Sequence, residues 1–354
     1  MKKAIIVTII ILSCCQIDAQ TLSGKVFDKA TKQPIPDVHV YLDGTLINDI
    51  SDNSGEFKLM VGKKLNTKLV LHHLSYQTVI IENPFENLPD KFYMEERLNM
   101  ISDVIIHADR FTREQKMKAF RDQFLGMTQA GKSCKIMNES DIRIWYDLET
   151  KTLSASSDQP IVVINDYLGY QILFTLIDFR TEYSYVTLNS DNVRQSYFAV
   201  TTSYTDLNSN DRRIKRRRDG VYEESSTFFF RNLANNTLKE SNFKIFSNGF
   251  PIDDHLYFTV KDTLSLKMIR LIFDTGLKEI RRYNIYSDKP QFIDKSVFAA
   301  ISVLYRRKQS DIYFYTDSLL VDQYGNINQI DKVIFSGQMG QNRAGNMLPL
   351  EYEP

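Results

Sequence analysis

The chain has 354 residues, 43% hydrophobic and 25% charged, which is the stock of an ordinary folded protein and excludes a disordered or collagen-like one. At about 100–200 residues per domain, this length predicts two folded domains. Lys plus Arg and Asp plus Glu both number 44, so the chain lacks the overall basic balance that nucleic acid binding calls for, and no nucleic acid partner is expected.

Lys2 and Lys3 precede an apolar run over residues 4–12, interrupted only by Thr8. Ser13-Cys14-Cys15-Gln16-Ile17-Asp18-Ala19-Gln20 follows. A charged start, a short apolar stretch and a small residue before a cut after Ala19 make a secretory signal over residues 1–19. The run is about half of the roughly 20 residues that span a bilayer, so the segment reads as cleaved rather than as an anchor. Export to the periplasm or outer membrane is the expectation. Ile11-Leu12-Ser13-Cys14 is a loose lipobox, and a lipidated Cys14 is the second reading of the segment. Cleavage after Ala19 leaves Cys134 as the one cysteine, so no disulfide forms within the mature chain and the core alone must hold it.

From residue 21 the pattern is short strands and turns. Strands are expected over 22–28, 38–42, 47–50, 56–61, 69–74, 78–81, 92–94 and 104–106. Asp52-Asn53-Ser54-Gly55 is a turn signal, since Asn and Gly accept the positive φ of tight hairpins. Seven or so short strands in about 85 residues indicate a small β-sandwich. Aromatics agree: 22 Phe and 19 Tyr against one Trp suit pleated, half-buried surfaces.

Within this stretch Gly24-Lys25-Val26-Phe27-Asp28, Pro34-Ile35-Pro36-Asp37-Val38-His39-Val40, Ser51-Asp52-Asn53-Ser54-Gly55-Glu56-Phe57 and Leu74-Ser75-Tyr76-Gln77 resemble the carboxypeptidase-like regulatory domain. That transthyretin-like family is common in exported proteins of Bacteroidetes-type bacteria. Ser51 stands where its pattern has Thr, and Ser75 where it has Gly. The resemblance covers about a quarter of the chain, over residues 20–108. It implies a seven-stranded sandwich of the kind appended to peptidases and outer-membrane transporters, without catalysis of its own.

A zinc peptidase needs His and carboxylate ligands with one position open. His39, His72, His73, His107 and His255 show no H-E-x-x-H or H-x-x-E spacing, and His72 and His73 as strand neighbours face opposite sides. Asp52-Asn53-Ser54-Gly55-Glu56 lacks the middle ligands of a calcium loop and reads as a hairpin turn. No metal and no cofactor is expected.

Residues 109–132 form a connector. A helix is expected over 111–126, with Met117, Phe120, Phe124 and Leu125 as its apolar stripe, Lys116, Lys118, Arg121 and Asp122 opposite, and Gly126 at its end. Residues 133–354 then read as a larger antiparallel β domain, a curved sheet or incomplete barrel with one or two covering helices. Strands are expected over 142–146, 152–155, 160–165, 170–179, 183–188, 196–204, 243–246, 256–260, 268–273, 278–286, 297–305, 312–315 and 333–335.

Residues 208–237 interrupt them. Arg212, Arg213, Lys215, Arg216, Arg217 and Arg218 place six cations in seven residues, surrounded by Asp206, Asp211, Asp219, Glu223 and Glu224. A solvated loop or salt-bridge cluster is the first reading. The second is an anionic-ligand site with Arg217, Arg218, Tyr222 and Arg231 at the rim of a pocket. Ser225 caps a helix expected over 227–238, with Phe228, Phe229, Phe230 and Leu233 inward. Asp166-Tyr167-Leu168-Gly169-Tyr170-Gln171-Ile172, Phe228-Phe229-Phe230-Arg231-Asn232-Leu233 and Leu348-Pro349-Leu350-Glu351-Tyr352 resemble uncharacterised exported bacterial proteins with the same leading domain. That likeness implies an architecture and no chemistry.

No G-x-S-x-G elbow occurs, Gly337, Gly340 and Gly345 lack the G-K-[ST] ending of a phosphate loop, and Cys134 reads as a small buried hydrophobe. The expected function is therefore an exported, non-enzymatic envelope protein that binds or scaffolds, with an envelope protein or glycan as partner and peripheral contact with the outer membrane. The alternatives are a hydrolase of peptides or glycans, and a small outer-membrane β-barrel.

Overall fold

The computed structural model describes residues 20–62, 65–86, 88–97, 110–263, 266–272, 280–283, 290–294 and 297–354. The signal segment, His107 and the strand expected over 104–106 lie outside the described residues. The chain divides into two compact units, Met1–Asp103 and Val104–Pro354.

Among the described residues of the first unit, seven strands form two sheets. They are β1 (Gln20–Asp28), β2 (His39–Leu42), β3 (Asn48–Ile50), β4 (Glu56–Val61), β5 (Leu69–His72), β6 (Val79–Ile81) and β7 (Lys91–Met94). The orders are β4-β1-β7 and β3-β2-β5-β6. Period-two alternation explains the faces: in β4, Phe57, Leu59 and Val61 are buried while Glu56, Lys58 and Met60 are exposed. Leu22, Val26 and Phe92 of one sheet meet Val40, Leu42 and Leu71 of the other in a single core. This is the sandwich the sequence predicts.

Ser51 shows why its departure from Thr is tolerated. Its buried hydroxyl donates to the Ile35 carbonyl at 2.8 Å and accepts from the Val38 amide at 2.9 Å, and either residue type supplies that group. The 52–55 segment is a turn, as expected. Asp52 Oδ1 accepts from the Ser54 hydroxyl at 2.8 Å, the Glu56 amide at 2.9 Å and the Ser54 amide at 2.8 Å. These bonds hold the carboxyl below its ordinary range.

The second unit begins with α1 (Arg113–Phe124), closed at its start by a capping box between Thr112 and Gln115. Met117, Phe120, Phe124 and Leu125 are buried as the periodicity requires. Phe120 meets Phe179 at 4.7 Å between ring centroids, and Phe124 meets Phe174 at 5.2 Å. Lys116 departs from expectation: it is buried, because it lies one turn before Phe120 on the same side. The expected connector helix is thus part of this unit's core.

After α2 (Gln129–Lys132), six strands form the first large sheet: β8 (Cys134–Ile136), β9 (Ile142–Asp147), β10 (Thr152–Ser157), β11 (Ile161–Asn165), β12 (Tyr170–Tyr183) and β13 (Val193–Asp206). The start of β12 pairs with β11 and its end with β10 along one edge, while β13 follows the other edge through a bulge at Leu176/Asp178. The strand expected over 183–188 is absent, since β12 itself ends at Tyr183.

Then come α3 (Arg212–Glu223) and α4 (Ser226–Ala234). The cation run, expected as a loop, is helical. Arg and Lys are good helix formers, and Ile214, Arg218 and Tyr222 recur every fourth residue on its buried face. Ser225 caps α4 by accepting from the Phe228 amide at 3.1 Å. The helix stops short of residue 238 at Asn235 and Asn236, the latter at φ 56°.

A second core gathers Phe229, Phe230 and Leu233 of α4 with further strands. These are β14 (Lys244–Ser247), β15 (Phe250–Pro251), β16 (Phe258–Thr263), β17 (Leu266–Leu271), β18 (Ile280–Tyr283), β19 (Pro290–Asp294), β20 (Ala299–Tyr305), β21 (Lys308–Phe314), β22 (Ser318–Val321) and β23 (Val333–Ser336), with α5 (Asp254–Tyr257) and α6 (Gly337–Gly340). They pair as β15-β14-β20-β21-β23, β16-β17-β22 and β18-β19, all antiparallel. The fold is mainly β, and among the described residues no sheet closes into a barrel.

Gly55 tests the first unit. It sits at φ +74°, and a Cβ there would stand 2.4 Å from the Val26 carbonyl oxygen. Gly55→Ala is expected to lower the stability of the first unit by more than about 1 kcal/mol in urea unfolding. An unchanged midpoint would mean the turn relaxes at no cost.

Candidate functional site

α3 organises a polar network in the second unit. Its N-cap is Asp211, whose carboxylate accepts from the amides of Arg213 at 2.7 Å and Ile214 at 3.3 Å. Of its three inward positions, Arg218 and Tyr222 carry polar groups, which burial obliges to find partners.

Arg218 is 6% exposed. Its guanidinium grips both oxygens of Asp206, each at 2.8 Å, and donates to the carbonyls of Leu168 at 2.7 Å and Gly169 at 3.2 Å. It also lies 3.8 Å from the centroid of the Tyr170 ring. Burial alone would raise the Asp206 carboxyl, but the Arg218 fork and the Asn208 amide outweigh it and hold the group below the usual carboxylate range.

Tyr222 occupies the next turn. Its hydroxyl accepts from Arg231 at 3.1 Å and donates to the Tyr324 carbonyl at 3.4 Å. Burial pushes the phenol up, and Arg231 pulls part of that back. Its ring lies 5.4 Å from Phe228 and 5.8 Å from Tyr352, whose own hydroxyl donates to Asp219 at 2.6 Å. Arg231 faces Glu353 at 3.7 Å. Arg217 lies one step around the helix, 4.7 Å from the centroid of the Tyr167 ring.

Of the four residues named from sequence, the structure joins Tyr222 to Arg231 and ties Arg218 to Asp206, while Arg217 caps Tyr167. The guanidinium of Arg218 is committed within the chain and does not form an open rim. Sequence reasoning named Asp206 among the acids around the run, as a salt-bridge cluster requires, and missed Tyr170 and Tyr352, which lie farther along the chain. One signal was available: the segments 166–172, 228–233 and 348–352 each stand out in the sequence, and all three meet α3 here. On the opposite face Arg212, Arg213, Lys215 and Arg216 are exposed. Of these, only Lys215 has an ion pair among the described residues, with Asp219 at 3.5 Å.

Other reactive groups are similarly engaged. Cys134 donates its thiol to the Ala130 carbonyl at 3.3 Å, and burial, aided by Asp166, pushes it up to about 12. His39 and His72 face each other across β2 and β5, a pairing that strand adjacency with His73 concealed. Burial lowers both, His72 to about 4. Asp253, Asp254 and His255 bring ligand-type atoms within 4.8 Å of one another. The Lys239 ammonium already lies 3.1 Å from Asp253 and 3.8 Å from Asp254, so a cation of the chain fills that position.

The family model described as CarboxypepD_reg-like domain matches residues 22–106. Residues 22–106 are a CarboxypepD_reg-like domain. The match coincides with the two-sheet sandwich and covers the residues that carry the sequence resemblance. The CarboxypepD_reg-like domain indicates a regulatory or binding module rather than a catalytic one. No curated protein matches the chain. Among solved structures, a 9R-lipoxygenase from Cyanothece PCC8801 aligns at 9% identity with a TM-score of 0.18, over 61% of this chain and 48% of the lipoxygenase. The chain therefore spans about half of that protein, and the likeness carries no argument about fold or chemistry.

Two measurements check the network. Arg218→Met should cost stability toward the lower end of about 3–5 kcal/mol, because Asp206 keeps 20% of its side-chain surface in water. Asp206 is lowered in the folded state, so its contribution is present above the unfolded value and lost as pH falls through the folded one. The wild-type midpoint should therefore drop below about pH 4 more steeply than that of the Arg218→Met variant. Parallel acid limbs would remove Asp206 from the account. A disulfide reagent at pH 8 should label native Cys134 more slowly than the unfolded chain, by at least about ten-fold, and equal rates would mean an accessible thiolate.

Proposed function

We propose that this is an exported cell-envelope protein that binds or scaffolds and does not catalyse. The observation that carries the reading is the leading CarboxypepD_reg-like domain, a binding type of module. Two further features support it. Residues 1–19 have the order of a secretory signal, with Lys2 and Lys3 before the apolar run and Ala19 before the cut. Three of the groups with perturbed proton affinity in the second unit, Asp206, Tyr222 and Cys134, are tied to partners within the fold.

Expression of the full chain in a Gram-negative host, followed by fractionation and mass determination, tests this. The expected result is envelope or periplasmic protein beginning at Gln20, released from membranes by alkaline carbonate and inert on a panel of peptides and glycans. Cytoplasmic protein with an intact start would overturn export. Turnover on the panel would overturn the non-catalytic reading. Retention after carbonate that Cys14→Ala abolishes would replace the soluble form with a lipid-anchored one.

A further inference from the structure

The charges of α3 run against its dipole. Cations crowd the first turns, where the helix end is partially positive, and Glu223 and Glu224 sit at the other end, where it is partially negative. Both arrangements oppose helix stability. At the acidic end the fold compensates: Arg306 pairs with Glu223, and Lys308 with Glu224 at 2.6 Å. At the basic end the compensation is partial: the Asp211 carboxylate caps the helix and feels the charges of Arg213 and Arg217. Arg212 and Arg216 are a like-charged i,i+4 pair, and neither they nor Arg213 has an ion pair among the described residues.

The nearby carboxylates are engaged. Asp211 caps the helix, Asp219 receives Lys215 and the Tyr352 hydroxyl, and Glu223 holds Arg306. The first-turn amides at Arg213 and Ile214 are satisfied by Asp211, so what the surface offers is side-chain charge. We infer that this helix face, formed by Arg212, Arg213, Lys215 and Arg216, docks on a membrane surface of anionic phosphate headgroups. A convex row of exposed cations meets a plane of anions better than it encloses a single one. Guanidinium forks match phosphate oxygens. Leu207, 48% exposed, precedes the helix by a few residues and adds one exposed apolar side chain to this part of the chain. The inference deepens the envelope reading, since it says how the protein meets the membrane there.

The test is co-sedimentation of the full chain with vesicles, either 30% phosphatidylglycerol in phosphatidylcholine or phosphatidylcholine alone. The wild type should bind only the anionic vesicles, and more weakly as salt rises. The triple variant Arg212→Gln, Arg213→Gln, Arg216→Gln should bind them about 100-fold more weakly, at about five-fold per cation. A control triple, Lys58→Gln, Lys244→Gln, Lys261→Gln, changes net charge equally at exposed sites elsewhere and should stay within a few-fold of wild type. Equal losses in both triples would overturn the inference. So would capture of soluble polyphosphate without vesicle binding, which would assign the face to a soluble polyanion. Thermal unfolding supplies a second readout: relieving the like charges should leave the midpoint unchanged or raise it. A lowered midpoint would mean the cations serve the fold. Vesicle binding is measured apart from cell fractionation, so failure of this docking and failure of export are told apart.

Discussion

A guanidinium buried against an apolar core must be paired, and the pairing of Arg218 with Asp206 constrains much of the second unit. Asp206 ends β13, directly opposite Tyr170 in the ladder with β12. Arg218 uses both sides of that rung: the carboxylate of one residue and the ring face of the other. A slip of one residue between the two 14-residue strands would turn Asp206 to the other face and leave a buried charge alone. The ion pair thus fixes the register of the longest hairpin in the fold. Its bond to Leu168 draws in the turn that starts β12, and its place on α3 sets Tyr222 one turn further along.

The second unit contains two apolar cores, and its last residues bind them together. The Gly345 amide donates to the Leu125 carbonyl at 3.0 Å, and the Gly345 carbonyl accepts from the buried Asn165 at 2.9 Å. No side chain fits there, since a Cβ on Gly345 would stand 2.5 Å from the Gly131 Cα. Further on, the Leu350 carbonyl accepts from Asn326 at 3.1 Å, and Tyr352 reaches Asp219. Earlier, Gln338 donates to Glu224 at 2.8 Å. One strap of chain touches α1, the β11–β12 turn, α3 and the turn at Asp322. Neither core can open far without breaking hydrogen bonds to it, which explains how two cores behave as one unit.

The sandwich was legible because its information is local. Period-two alternation and the Asp52–Gly55 turn each act within a few residues. The stripe of α1 was legible for the same reason. The helicity of α3 was not, because six cations obscure the four-residue spacing of Ile214, Arg218 and Tyr222 that buries it. Two of those three residues are polar, so apolar periodicity had little to detect. Asp206 could be named as a nearby acid, but which cation it holds, and the ring and carbonyl partners of Arg218, could not be read. They depend on the β12–β13 register, the β11–β12 turn and the path of the last residues, all long-range facts. The mutual facing of His39 and His72 was hidden likewise, since it depends on which strands are neighbours.

Net charge misleads about this protein in an instructive way. Equal numbers of cations and anions predict a surface without preference, yet neutrality here is reached by pairing at particular places. Arg143 grips Asp158, Lys239 lies between Asp253 and Asp254, Arg306 and Lys308 hold the acidic end of α3, and Arg218 is buried on Asp206. Once these are matched, the unmatched cations on α3 lie together on one face. A long-range field would average to little at physiological salt, since charges are screened beyond about 8 Å. A cluster within one or two helical turns stays inside that distance and acts as a unit. Recognition by such a face is a contact property, set by how the fold distributes its ion pairs and invisible in the total.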